Sequence, residues 1–127
     1  MELIYLVTAL MLLEYFVFTL LVGVARGKTG IDAPAMTGAP ELERAVRVQL
    51  NTLEQLIVVI PAMFLFAMFV HVQVAAGLGV LFIIARILYA RGYLADPGKR
   101  SLGFGLGFLA TLVLLLGSVY GTLMAII

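Results

Sequence analysis

Apolar side chains fill four long stretches of this chain, and the polar positions are gathered between them. The first stretch covers Leu3 to Val24, broken only by Glu14 and a few weakly polar residues. The second runs from about Leu50 to Val70, the third from Val74 to about Tyr89, and the fourth from Leu102 to Ile127. About 20 apolar residues are needed for a helix to cross a hydrocarbon core of roughly 30 Å, so each stretch predicts a spanning helix. With their polar ends included, the helices are expected at about 2–25, 41–70, 74–95 and 100–126 of a single transmembrane domain, residues 1–127. The fold class this predicts is all-α, an integral membrane four-helix bundle. Arg26 to Pro40, rich in Gly, Pro, Thr and Ala, reads as a loop. Pro40 followed by Glu41 and Glu43 marks a helix start, because proline suits the first turn and carboxylates oppose the positive end of the dipole.

Composition removes the soluble alternative. Of 127 residues, 64% are hydrophobic and 12% charged, and a water-soluble domain this small cannot cover its surface with so few charges. Cysteine is missing and His71 is the single histidine, which excludes a disulfide framework, a thiolate metal site and any site needing two imidazoles; no metal is expected. Glu2 precedes the first apolar run and Arg26 and Lys28 follow it, the reverse of a cleaved leader's polarity. The eight Lys and Arg residues fall into two clusters, at 26–47 and 86–100. The positive-inside rule then predicts a cytoplasmic first and third loop and both termini on the opposite side. These cations are too few and too deep for a nucleic-acid partner.

Several polar residues lie where lipid excludes them unless they have a function. Arg44, Arg47, Asn51 and Glu54 follow one another at spacings of three, four and three, so they share one face of the second helix. Gln49 points away from that face. Arg86, Tyr89 and Tyr93 form a second stripe on the third helix, and helical rise puts Arg86 and Asn51 at similar depth. One reading has these groups neutralise each other, with Glu54 bonded to Arg86 as interhelical glue. The other is a cationic pocket, with one carboxylate and several neutral hydrogen-bonding groups, suited to a small zwitterion of net negative charge. Glu14, in mid-membrane, reads either as a proton-coupled carboxylate of a small multidrug transporter or as a structural partner for Asn51, Gln55 or another subunit. Glycines 103, 105, 107, 117 and 121 include two Gly-x-x-x-Gly spacings that favour close helix packing.

The segment Glu43-Arg44-Ala45-Val46-Arg47-Val48-Gln49-Leu50-Asn51-Thr52-Leu53-Glu54 resembles the second-helix signature of the membrane-associated proteins in eicosanoid and glutathione metabolism (MAPEG). Thr37-Gly38-Ala39-Pro40-Glu41 is similar to the loop before that helix, and Ala85-Arg86-Ile87-Leu88-Tyr89-Ala90-Arg91-Gly92-Tyr93 resembles the family's other signature. The resemblance implies a homotrimer that binds glutathione between subunits, as co-substrate, and conjugates or reduces lipophilic electrophiles or peroxides with its thiolate. Carried over by position, Arg47, Asn51, Glu54, Tyr89 and Tyr93 would hold glutathione, with Arg86 beside them. Gln49 and Arg26 would reach the neighbour's glutathione. Arg100 would stabilise the thiolate, the catalytic role, since an adjacent guanidinium lowers a thiol's pKa. The same family includes a non-enzymatic lipid-binding member, so a scaffold that takes a lipid or another lipophilic small molecule stays open. Gln55 stands where many animal members carry tyrosine, and Pro61 falls a turn later than in several relatives, both of which bear on the lipid substrate more than on glutathione.

Overall fold

A computed structural model describes all 127 residues, apart from the side chain of Pro97. Four helices follow one another: α1 (Glu2–Thr29), α2 (Pro40–Phe69), α3 (Val72–Ala95) and α4 (Ser101–Ile126), with a short 3-10 turn at Pro97–Lys99 before α4. Helix α1 continues past the end its apolar run suggests, because nothing stops it before Gly30. That glycine takes the left-handed conformation (φ 72°) and donates its N–H to the carbonyl of Arg26 at 2.9 Å, a common way for helices to end. Ala39 is extended ahead of Pro40, as a residue before proline is constrained to be. The α2–α3 hairpin is tight: Val70 and His71 both donate to Phe66 O, and His71 Nδ1 accepts from Val74 N at 3.2 Å to cap α3.

Helices α2 and α3 form the shared centre, with α1 and α4 packed on opposite flanks of the pair. Ile4, Val7 and Met11 of α1 meet Val59, Met63 and Phe66 of α2, Phe82 of α3 and Leu114 of α4 in one buried cluster. Gly79 lets α3 approach this cluster, since a side chain there would strike Met63 Sδ and Val7. The two Gly-x-x-x-Gly spacings of α4 serve different neighbours. Gly103 and Gly107 lie against Ala85, Phe82 and Tyr89 of α3, whereas Gly117 and Gly121 lie against Phe66 and Phe69 of α2 and Val70 just past its end. Ser118 fastens the second contact with a 2.8 Å hydrogen bond to Ala62 O.

The outer surface settles the solvent. Leu13, Phe16, Ile57, Met68 and Leu116 are each more than half exposed, an apolar exposure no soluble monomer sustains. All four helices are long and apolar enough to cross a membrane, and all have their backbone hydrogen bonds inside the helix, as lipid requires. The chain is an integral, multi-pass membrane protein of the all-α class.

Candidate glutathione site

Helical spacing of four brings Arg47 and Asn51 of α2 onto one face, and does the same for Tyr89 and Tyr93 of α3. The beginning of α4 adds Arg100, Ser101 and Phe104. These seven residues line one cavity of about 510 Å³, at the end of the bundle where α1 and α3 finish and α2 and α4 begin. Two close approaches set its shape. Gly92 lets the 3-10 turn fold back so that the Lys99 carbonyl lies on α3, and Gly103 brings the first turn of α4 against the backbone of Tyr89. Arg100 thereby sits at the N-cap of α4 with its guanidinium carbon 5.7 Å from the Tyr93 ring centre. Tyr93 in turn stacks on Tyr89 at 5.6 Å.

Beneath the tyrosines lies Arg86, only 2% exposed. Its Nη2 donates to Asn51 Oδ1 at 3.0 Å and to Thr52 Oγ1 at 2.8 Å, and its guanidinium lies 4.0 Å from the Tyr89 ring centre. Thr52 spends its own proton on Val48 O, which leaves its lone pairs for the arginine. Glu14 of α1 is buried within electrostatic reach of Arg86. Among the described residues, neither the two Glu14 carboxyl oxygens nor Arg86 Nε has a hydrogen-bond partner. The charges thus form a gradient drawn from all four helices, with Glu14 deepest, Arg86 above it, and Arg47 and Arg100 at the cavity. Glu54 pairs with Arg47 at 3.3 Å, both side chains about half exposed.

The stripe expected on α2 therefore divides. Arg47 and Asn51 face the cavity and Glu54 is held through Arg47, but Arg44 turns the other way and donates to Ala95 O at 3.4 Å. Arg86 bonds Asn51 and Thr52 rather than Glu54, so the Glu54–Arg86 glue is not formed. Gln49 lies off the cavity and donates to Thr19 Oγ1 of α1 at 3.1 Å. Arg26 also lies off it and clamps its own loop, donating to Ala35 O at 2.7 Å and Ile31 O at 3.4 Å. Ser101, Phe104 and Thr52 were not anticipated. Ser101 and Phe104 could have been found as the residues one and four positions after Arg100, but Thr52 reads as weakly polar and carries no signal of its own.

A polytopic helical bundle with a cationic, phenol-lined cavity at one end is the class defined by this fold and site. The MAPEG family matches the chain over residues 4–120. An uncharacterised protein of Synechocystis is 44% identical over 118 residues, covering 93% of this chain and 86% of its own. Human microsomal glutathione S-transferase 2 is 40% identical over 100 residues, 77% of this chain and 68% of its own. Bovine leukotriene C4 synthase is 33% identical over 94 residues, 74% of this chain and 63% of its own. The chain belongs to the MAPEG family, and its relatives support a glutathione-related function in the membrane.

Proposed function

We propose that the chain is a glutathione-dependent transferase of the membrane, which activates the glutathione thiol in the cavity between α2, α3 and α4. The observation that carries this reading is the convergence of Arg47, Asn51, Tyr89, Tyr93 and Arg100, from three helices, on a single cavity. Its volume falls within the range of small-molecule sites. Arg47 and Glu54, paired at the rim, supply one charge of each sign for the carboxylate and amino ends of a tripeptide. Asn51, oriented by Arg86, offers an amide to its backbone.

Two features favour the thiolate over the thiol. Arg100 contributes a guanidinium, which cannot lose its proton near neutral pH. The cavity also opens at the beginning of α4, a 26-residue helix whose unpaired N–H groups and dipole favour negative charge. The thiolate sulfur then forms a bond to an electrophilic atom of a lipophilic substrate, and the electron pair displaced there leaves with a group or is protonated. In the same reading the chain assembles as a homotrimer, with Arg26 and Gln49 serving the neighbour's cavity; their position away from the cavity of their own chain supports that assembly.

Glutathione titration by calorimetry, on the purified chain in mild detergent, is the decisive measurement. Saturable binding at millimolar concentration or below, weakened by Arg47→Ala, is the expected result. Without binding, the transferase reading falls and a lipid-binding scaffold takes its place.

A further inference from the structure

We propose that the outer face of α1, along its seam with α2 at the basic end and with α3 below, is a binding site for an anionic phospholipid of the surrounding bilayer, separate from the cavity described above. Two neighbouring cavities make up this face, and Leu21 and Leu94 belong to both. The upper one, about 500 Å³, is bordered by Lys28, Glu41 and Arg44. The lower one, about 440 Å³, runs along Leu10, Leu13 and Val17 of α1 and Ile83 and Ile87 of α3. Together they form one track, cationic at the basic end and apolar below it.

The track has the dimensions of a lipid. On α1 its residues are Leu10, Leu13, Val17, Leu21, Val24 and Lys28, spaced at three and four so that they form one continuous ridge. From Leu21 to Leu10 is eleven residues, roughly 16 Å of helix, against roughly 15 Å for half of a hydrocarbon core. An acyl chain starting at Leu21 ends where the groove ends. Glu14 borders this groove but keeps both carboxyl oxygens buried away from the surface, so it offers the occupant only methylenes. Arg91 borders it too, and its long aliphatic stem is apolar surface that an acyl chain can lie on.

The upper end is built for a phosphodiester. Lys28 is 65% exposed and pairs with Glu41 at 3.6 Å, and Arg44 donates to Ala95 O at 3.4 Å. Together Lys28 and Arg44 set two cations against one carboxylate. Basic recesses between spanning helices at headgroup depth select anionic lipids. Neither Lys28 nor Arg44 has a part in the glutathione site, so the two readings stand or fall separately.

The test uses the full chain reconstituted in nanodiscs of equal phosphatidylglycerol and phosphatidylcholine, then released into mild detergent for native mass spectrometry. Phosphatidylglycerol adducts are expected to outnumber phosphatidylcholine adducts severalfold. Lys28→Gln and Arg44→Gln should each lower that ratio about fivefold, while Lys99→Gln, an exposed cation on the other loop, leaves it unchanged. Val17→Trp, which fills the groove, should remove retention of both lipids with the headgroup cations intact. Equal retention of the two lipids, or an equal effect of Lys99→Gln, would overturn the proposal. So would displacement of the lipid by millimolar glycerol phosphate, which would reduce the site to its headgroup end. Wild-type protein that keeps no lipid, and whose oligomer dissociates on Val17→Trp, would instead make this face a contact between copies of the chain.

Discussion

Three glycines within five residues of α4 differ in what surrounds them, which turns the packing of α4 on α3 into a measurable series. An alanine at 103 would bring its methyl group to 2.6 Å from Tyr89 Cα and 2.7 Å from Ala85 O. These are main-chain atoms of a helix and cannot turn aside, so α4 must move outward. At 105 the methyl meets nothing within 4 Å, and at 107 it meets Ala85 Cβ at 3.6 Å, an ordinary contact. Overpacking of this kind costs about 1–3 kcal/mol, whereas glycine-to-alanine in a helix gains up to about 1 kcal/mol. Gly103→Ala should therefore lower the thermal midpoint in detergent by several degrees, and Gly105→Ala and Gly107→Ala should leave it level or raise it. Circular dichroism at 222 nm during heating reads all three. Tyr89 and Phe104 flank Gly103 and both line the cavity, so glutathione affinity should fall with Gly103→Ala alone. Three variants of equal midpoint would refute the close approach of α4 to α3, and with it the account of how Arg100 is positioned.

Arg100→Ala should leave glutathione affinity nearly intact while thiolate absorbance and turnover of a generic electrophile fall about a hundredfold; Arg100→Lys tests whether charge alone suffices. Normal thiolate in Arg100→Ala would move the activating role to a tyrosine or Arg86. Arg86→Met removes two charge-assisted hydrogen bonds and also a costly buried charge, so stability should change little while the KM for glutathione rises about tenfold through the loss of Asn51's anchor. Strict additivity of Arg86→Met with Asn51→Ala would show that no such coupling exists. A reporter active only in the cytoplasm, fused after Ile127, should stay silent; strong signal would reverse the expected topology.

The helices were legible because lipid allows few alternatives: runs such as Leu102–Ile127 cannot rest anywhere else, and backbone groups in hydrocarbon must be satisfied within the helix. The near-equal depth of Asn51 and Arg86 followed from helical rise, and the structure joins them. Period alone does not fix how helices turn about their axes when they pack. The destinations of Arg44, on the polar face, and of Gln49, pointing away from it, were therefore out of reach, since neighbouring helices draw them to Ala95 O and Thr19. Thr52 was missed for a related reason: a threonine in a helix ordinarily bonds back to its own backbone, as this one does, and only a second helix reveals that it also accepts from Arg86. Of the partners expected for Glu14 within the chain, neither Asn51 nor Gln55 bonds it, and its buried oxygens lie within electrostatic reach of Arg86 without a hydrogen bond.

The division of α4's glycines between two neighbours makes that helix sensitive to phase. Gly103 and Gly117 are fourteen residues apart, which at 3.6 residues per turn leaves them about 40° out of alignment. That offset is what carries the small-residue seam from α3 at one end of the bundle to α2 at the other. A single residue inserted between Gly107 and Leu116 would rotate the lower seam by about 100°, bringing Leu116 against the ring of Phe66 in place of Gly117 and moving Ser118 off Ala62 O to the lipid-facing place of Val119. Point substitutions on the lipid-facing side of α4 should be absorbed freely, while length changes in its middle should not be tolerated at all.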